Sequence, residues 1–365
     1  MLALLAMLTP LRADQGAPAK IRAEIEYLRK SLAAKPDSDP QWKDAKPEIN
    51  ATLQQAADAV RGGRLYVSLE VLSEALASLR GIERASEKTE DQLVKEGLPG
   101  VEAELKKAKL ELAASDQHDR QESAERILSI IRALSEKAEG EAEGFIEGGR
   151  GFAVINDLAV GDRANYLSSA LYYAGRAEAQ PEVAAFYETL NLPRNGSPVP
   201  LRSLSPELQR LQQQTTAAFQ PPGSVEHHAD FIRLNATLKL AGELDAAHRY
   251  AGALYQYLVA VLQFGKLDAV APNAAKQSEL KRDLENLRQD LSASKQDSSI
   301  AQLFLERAEA RLAQSPLPSD DDWKAVGIIV EQVLPAYSAA LKSPLPQDHP
   351  ATAGVTVTLV RWPYT

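Results

Sequence analysis

Hydrophobic residues recur along most of the chain at the spacing of a helix. Between residues 20 and 342 apolar side chains fall three or four positions apart, as at Ile21, Ile25, Leu28 and Leu32. That spacing places them on one face of an α-helix, and the face needs another helix to cover it. Prolines, glycines and aspartates separate the helical segments. The pattern predicts an all-α fold built from helical hairpins.

Two interruptions divide this pattern. Residues 144–162 are rich in glycine, and we expect them to hold a short helix between loops. Residues 191–206 carry several prolines and an Asn-Gly pair, which predicts a linker. The linker separates an N-terminal helical lobe, residues 20–190, from a C-terminal helical lobe, residues 207–344. We expect the second helix to start after Pro47.

The tail, residues 345–365, has a different pattern from the helical part. β-Branched and apolar residues alternate at 355–360, which predicts a short β-strand. The strand could pair with another segment of the chain, add to the sheet edge of another protein, or pack on the chain's own helices. We favour packing on the helices.

The hairpin plan recurs along the chain. The segment Asn-Ala-Thr-Leu at 50–53 reappears at 235–238, and at the same offset Arg64 matches Arg249 and Leu69 matches Leu254. Gly-Gly-Arg occurs at both 62–64 and 148–150. A unit that cannot bury its apolar face alone stacks on its neighbours. The sequence therefore predicts a helical-repeat array in two lobes.

Small residues around the Gly-Gly-Arg turn at 62–64 give a more specific resemblance. They allow two helices to pack closely, and they recur in the second hairpin: Ala56, Ala59, Ser68 and Ala75, then Ala241, Ala253 and Ala260. The pattern resembles the tetratricopeptide repeat, although the tryptophan, the proline and the regular ~34-residue spacing of that family are missing. The resemblance implies a helical array with a groove for a peptide or protein, and it carries over no active residues.

Composition narrows the classes of function. The net charge of -9 repels phosphate backbones, so we expect no nucleic-acid partner. The chain has no cysteine, which excludes disulfides, thiolate zinc sites and cysteine nucleophiles, and it fits an oxidising compartment. Residues 1–11 are apolar and uncharged, and Ala13 and Ala19 are small. Residues 1–19 are therefore predicted to be a signal peptide, with an ordinary apolar helix as the alternative. The interpretation implies an exported protein, periplasmic or secreted, with no transmembrane segment in the mature chain.

Tyrosines supply the candidate binding residues. Tyr166 and Tyr173 share one helix face, as do Tyr250 and Tyr257, and Arg249 adjoins the second pair. Tyrosine buries a large area and keeps a polar tip, which suits recognition. The alternative, which we favour, is that these rings fill gaps between alanine-rich helices.

The densest group of possible metal ligands lies around two adjacent histidines. His227, His228 and Asp230 lie together, and imidazole with carboxylate suits zinc, iron or manganese. Helical di-metal sites use Glu-x-x-His motifs, and the sequence has none. We interpret the three as surface residues and predict no metal and no cofactor.

No motif for a catalytic serine or a phosphate-binding loop occurs. The sequence predicts a non-enzymatic interaction or scaffold protein of the cell envelope or exterior, which binds a peptide or protein on a helical-repeat surface. The alternatives are a small-molecule or metal-binding exported protein, and an enzyme whose site is assembled from scattered residues.

Overall fold

The computed structural model describes residues 16–115, 128–153, 160–190, 192, 196–313 and 317–342. These residues confirm the all-α class, and within them the only β-pairing is an isolated bridge between Ser197 and Gln296. The predicted strand at 355–360 and residues 1–15 of the predicted signal peptide lie outside the described part. The helices are α1 Ala17–Ala33, α2 Pro40–Arg61, α3 Leu65–Ala85, α4 Glu90–Ser115, α5 Ser129–Ala153, α6 Val160–Thr189, α7 Ser205–Ala218, α8 Gly223–Glu226, α9 His228–Ala246, α10 Tyr250–Lys266, α11 Ala274–Ala293, α12 Ser299–Leu312, α13 Asp320–Ile328, a π-helical turn Ile329–Val333, and α14 Leu334–Lys342.

Two helix boundaries differ from prediction. Helix α2 begins at Pro40 rather than after Pro47, because the Asp39 side chain accepts a hydrogen bond from the N–H of Gln41 at 2.9 Å and caps the first turn. The predicted break at residue 144 is also wrong, since α5 runs through the glycine-rich stretch to Ala153. A Cβ at Gly149 would lie 2.7 Å from Leu105, so this glycine allows α5 to approach α4 closely.

The hydrophobic core contains residues from both predicted lobes. One cluster of buried side chains includes Leu28 and Leu69 from the first and Leu254 and Phe304 from the second. Helix α5 packs against α6 within its own lobe and against α10 and α12 of the other. No helix in the described ranges is long and apolar enough to cross a membrane.

Candidate functional site

The two hairpins that share a sequence pattern also share a turn. Gly63 ends the α2–α3 turn at φ 75°, and His248 takes the equivalent place between α9 and α10 at φ 60°. The N–H of Arg64 donates to the carbonyl of Ala59 at 2.8 Å, and Arg249 makes the equivalent bond at the same length. A histidine in the left-handed region costs about 1–2 kcal/mol, so the surrounding structure must impose this turn on the second hairpin.

Each hairpin has its second helix capped by a glutamate from the other half of the chain. Glu306 of α12 accepts a hydrogen bond from the N–H of Val67, in the first turn of α3, at 2.9 Å. Glu136 of α5 accepts one from the N–H of Gly252, in the first turn of α10, at 2.7 Å. The first N–H groups of a helix have no partner within it, so these carboxylates satisfy donors that the chain cannot satisfy locally.

The capping helices are themselves equivalent. Both α5 and α12 begin with Ser-Ile and carry Glu-(Lys/Arg)-Ala-Glu, at 136–139 and 306–309. Their first residues, Ser129 and Ser299, meet with their hydroxyl oxygens 3.2 Å apart. Equivalent residues therefore contact each other and cap each other's helices, which is the reciprocal pattern of a two-fold interface.

A polar network lies where the two halves meet. Glu70 and Tyr255, which are 185 residues apart, hold equivalent places in α3 and α10, and the Tyr255 hydroxyl donates to the Glu70 carboxylate. Arg307 of α12 donates from Nε to Glu70 Oε2 at 3.1 Å and from Nη2 to both Glu70 Oε1 and the Tyr255 oxygen, the latter at 2.9 Å. Its guanidinium also lies 4.9 Å from the ring centre of Phe304. Tyr255 is only 1% exposed, whereas the side chains of Glu70 and Arg307 are about a fifth exposed, so the network reaches from the core towards solvent.

The electrostatics of the network hold each group in one state. Burial opposes the charge on Glu70, but Arg307 and the hydrogen bonds from Tyr255 and Arg307 outweigh it and leave the pKa of Glu70 below its ordinary value. Burial raises the pKa of Tyr255 well above its ordinary value. At neutral pH the network is therefore a carboxylate, a guanidinium and a neutral phenol, and it provides fixed charge rather than proton transfer.

The capping carboxyl of Glu306 behaves differently. Burial raises the pKa of Glu306 to about 7, although the backbone N–H groups at the start of α3 oppose the rise. Such a value would suit acid–base chemistry. The hydrogen bond to Val67 shows instead that this carboxyl faces a helix terminus of the same chain.

An open cleft of about 270 Å³ lies beside the network. It is lined by Val67, Leu262, Arg307, Ala310, Arg311 and Ile329. The two arginines stand on successive turns of α12, and the other lining residues are apolar. Ile329 opens the π-helical turn, a distortion that is frequent at functional sites.

Both arginines of the cleft have N–H groups that make no hydrogen bond within the described ranges. Arg311 donates through Nη1 to Asp322 Oδ1 at 3.1 Å. Its Nε and Nη2, and Nη1 of Arg307, have no acceptor within the described ranges. Partial burial and the charges of Arg311 and Arg307 lower the pKa of nearby Lys266. The cleft therefore combines unused guanidinium N–H groups with an apolar wall.

The predicted binding residues fall into two groups with different neighbours. Tyr166 and Tyr173 are half-buried and pack on Phe152, with ring centres 6.0 and 5.4 Å away, and Tyr173 also contacts Phe145 at 6.0 Å. They belong to an aromatic cluster between α5 and α6.

The second group lies on the α9–α10 hairpin. Arg249 Nε is 3.5 Å from Glu139, and the Tyr250 hydroxyl is 2.7 Å from Nδ1 of His248. Tyr257 is half-buried, and burial followed by the charge of Glu207 raises its pKa. The structure brings none of these residues into the lining of the cleft.

The predicted metal ligands lie at the start of α9. His227 Nδ1 is 3.5 Å from Asp230, whose carboxylate also accepts from Arg233 at 2.9 Å. The ring of His228 lies 6.5 Å from that of Phe219. Across the described ranges, no three or more His, Cys, Asp or Glu residues are grouped so that they could hold a metal ion.

Exposed apolar side chains gather at the end of the molecule that carries the cleft. They lie in or beside the connections α7–α9, α10–α11 and α12–α13, and we call them the apolar end: Phe219, Val225, Ile232, Val270 and Leu317. Arg311 at the end of α12 pairs with Asp322 at the start of α13, and Lys266 at the end of α10 interacts with Asp230 at the start of α9. These contacts show that the helix ends meet here.

The network, the cleft and the apolar end are the features from which a function can be argued. Together they offer fixed charge, apolar surface and unused donors on a rigid helical frame. Comparison with known proteins adds no family to this description: no family model, no curated protein and no solved structure matches the chain.

Proposed function

We propose that this chain is a non-enzymatic binding protein that docks a peptide or protein partner on the apolar end. The observation that carries the proposal is the grouping of exposed side chains. Val225, Val270 and Leu317 are each at least 75% exposed, and of the large exposed apolar residues in the described ranges only Tyr27 lies away from this end. Grouped apolar exposure costs solvation free energy in a free protein and marks interaction surfaces.

The frame behind the apolar end supports the same proposal. The connections that carry these residues are held by helices whose ends are tied together by Arg311 and Asp322 at 3.1 Å. Loops on a rigid scaffold are common recognition elements. In this proposal the tetratricopeptide-like hairpins, in two lobes, serve as that scaffold, and the protein acts after export through the apolar segment at residues 1–11.

Site-specific photo-crosslinking tests the proposal. A photoreactive phenylalanine derivative is placed at Val225, Ile232 or Val270 of the full chain, and at Tyr27 as the matched control, since Tyr27 is exposed (53%) but isolated. We expect one partner to cross-link in stoichiometric amount from the three positions and not from Tyr27. The serine variants at the three positions should lose that partner while keeping the helical circular dichroism of the wild type. Equal labelling from Tyr27, or no product at any position, would reject this surface.

A further inference from the structure

The cleft has a counterpart in the other half of the molecule. Because α5 and α12 are equivalent, Arg307 corresponds to Lys137 and Arg311 to Glu141. In the counterpart, Lys137 Nζ lies 2.6 Å from Glu141 Oε2, so the cation is neutralised by a carboxylate on the next turn of its own helix. On α12 the equivalent of Glu141 is a second cation, Arg311. The carboxylates here come from other helices, since Glu70 pairs with Arg307 and Asp322 pairs with Arg311.

The two places also differ in the space around them. Gly140 of α5 abuts α9 so closely that a Cβ there would lie 2.8 Å from Leu240 and 3.0 Å from Leu244. Ala310, at the equivalent place on α12, instead lines the open cleft. One member of the pair is filled, and the other is open and presents two guanidinium groups that keep unused N–H donors.

We propose that the cleft binds a small amphipathic carboxylate. The unused donors of Arg307 and Arg311 hold the anion, since guanidinium groups match a carboxylate with charge-assisted hydrogen bonds. The apolar body lies against Leu262, Val67 and Ile329.

The size of the cleft limits the ligand. Its 270 Å³ is just below the ~300–1,000 Å³ of sites that take drug-sized ligands. The cleft therefore suits a ligand smaller than a drug-sized molecule. A branched, medium-chain or aromatic monocarboxylate has this size. This inference goes beyond the proposed docking of a partner, because it concerns a free small molecule and is tested without one.

Calorimetric titration of the purified full chain with benzoate tests the inference, with benzamide as the neutral analogue and inorganic phosphate as the anion without an apolar body. Three variants are compared: Arg311→Gln, which removes one cation; Ala310→Leu, which fills the cleft and keeps both; and Arg282→Gln, the matched control for charge. Arg282 lies on α11 with its side chain 70% exposed. Far-UV circular dichroism verifies that each variant is folded.

We expect benzoate to bind the wild type and the Arg282 variant with equal affinity. The Arg311 variant should bind it at least about tenfold more weakly, since a hydrogen bond to a charged group contributes roughly that factor or more. The Ala310 variant should also bind it at least about tenfold more weakly, because the larger side chain occupies the space of the ligand. Benzamide and phosphate should also bind at least about tenfold more weakly than benzoate. Absence of benzoate binding, equal binding by the Ala310 or Arg311 variant, or equal affinity for benzamide or phosphate would each overturn the assignment. None of these outcomes bears on cross-linking at the apolar end, so the two proposals fail separately.

Discussion

Replacing Tyr255 with phenylalanine is the sharpest test of the central network. The change keeps the ring, which packs 6.1 Å from that of Phe304, and removes only the hydroxyl. That hydroxyl donates to Glu70 and accepts from Arg307 at 2.9 Å. Hydrogen bonds to charged groups contribute about 1.5–3 kcal/mol each. Glu70 and Arg307 keep each other and are about a fifth exposed to water, so part of the loss is recovered. We expect the free energy of unfolding to fall by about 2–3 kcal/mol.

Urea denaturation followed by far-UV circular dichroism measures that free energy by linear extrapolation. Tyr187→Phe is the matched control. Tyr187 is also buried, 3% exposed, but its hydroxyl donates to the neutral carbonyl of Leu69 at 3.2 Å. A neutral hydrogen bond contributes about 1 kcal/mol, so this variant should lose less. If Tyr255→Phe costs no more than Tyr187→Phe, the charges around Tyr255 do not stabilise the fold as argued.

Further substitutions test the turns, the helix contacts and the buried cap by the same urea assay. Gly63→Ala should cost about 1 kcal/mol, because its φ of 75° is left-handed while no atom lies within 4 Å of the added Cβ; no loss would refute the role of the turn. Gly175→Ala should cost more, since its Cβ would overlap the carbonyl oxygen of Arg80. The pKa of Glu306 is about 7 in the folded state, against an ordinary value of 4.5, so the folded state binds this proton more tightly than the unfolded state does. The stability that Glu306 contributes therefore falls as pH rises from about 4.5 through 7, by up to about 3 kcal/mol. Glu306→Gln should flatten stability between pH 5 and 8, and an unchanged pH profile would contradict the buried-carboxyl argument.

The parts of the fold that depend on local sequence could be predicted. The helical spacing of the apolar residues predicts the all-α class, and the glycines at 62–63 predict the α2–α3 turn. Both features depend on residues that are close together in the sequence. The predicted helix boundaries were wrong where a distant or competing interaction determines where the helix begins or ends. Asp39 caps α2 ahead of Pro47, and the glycine-rich end of α5 stays helical where the sequence alone favours a break. Gly149, within that end, is explained by packing on α4.

The candidate site depends on contacts that periodicity cannot reveal. Arg307 reaches Glu70 across 237 residues, and Tyr255 reaches it across 185. Helical spacing places Tyr250 and Tyr257 on one face, and that criterion passes over the buried Tyr255 between them. A usable signal was present: the offset that pairs Arg64 with Arg249 also pairs Glu70 with Tyr255.

The reciprocal glutamate caps bear on how the chain reaches its folded state. In a linear array each unit contacts only its neighbours, so folding can start anywhere and spread. Here the first turn of α3 is capped by Glu306, which is 239 residues from Val67, and the first turn of α10 is capped by Glu136. Neither half can satisfy its own helix start, so we expect both halves to become ordered in a single cooperative step. Long loops must close before these caps can form. The loss of loop-closure entropy makes folding to the native topology slow for a helical protein.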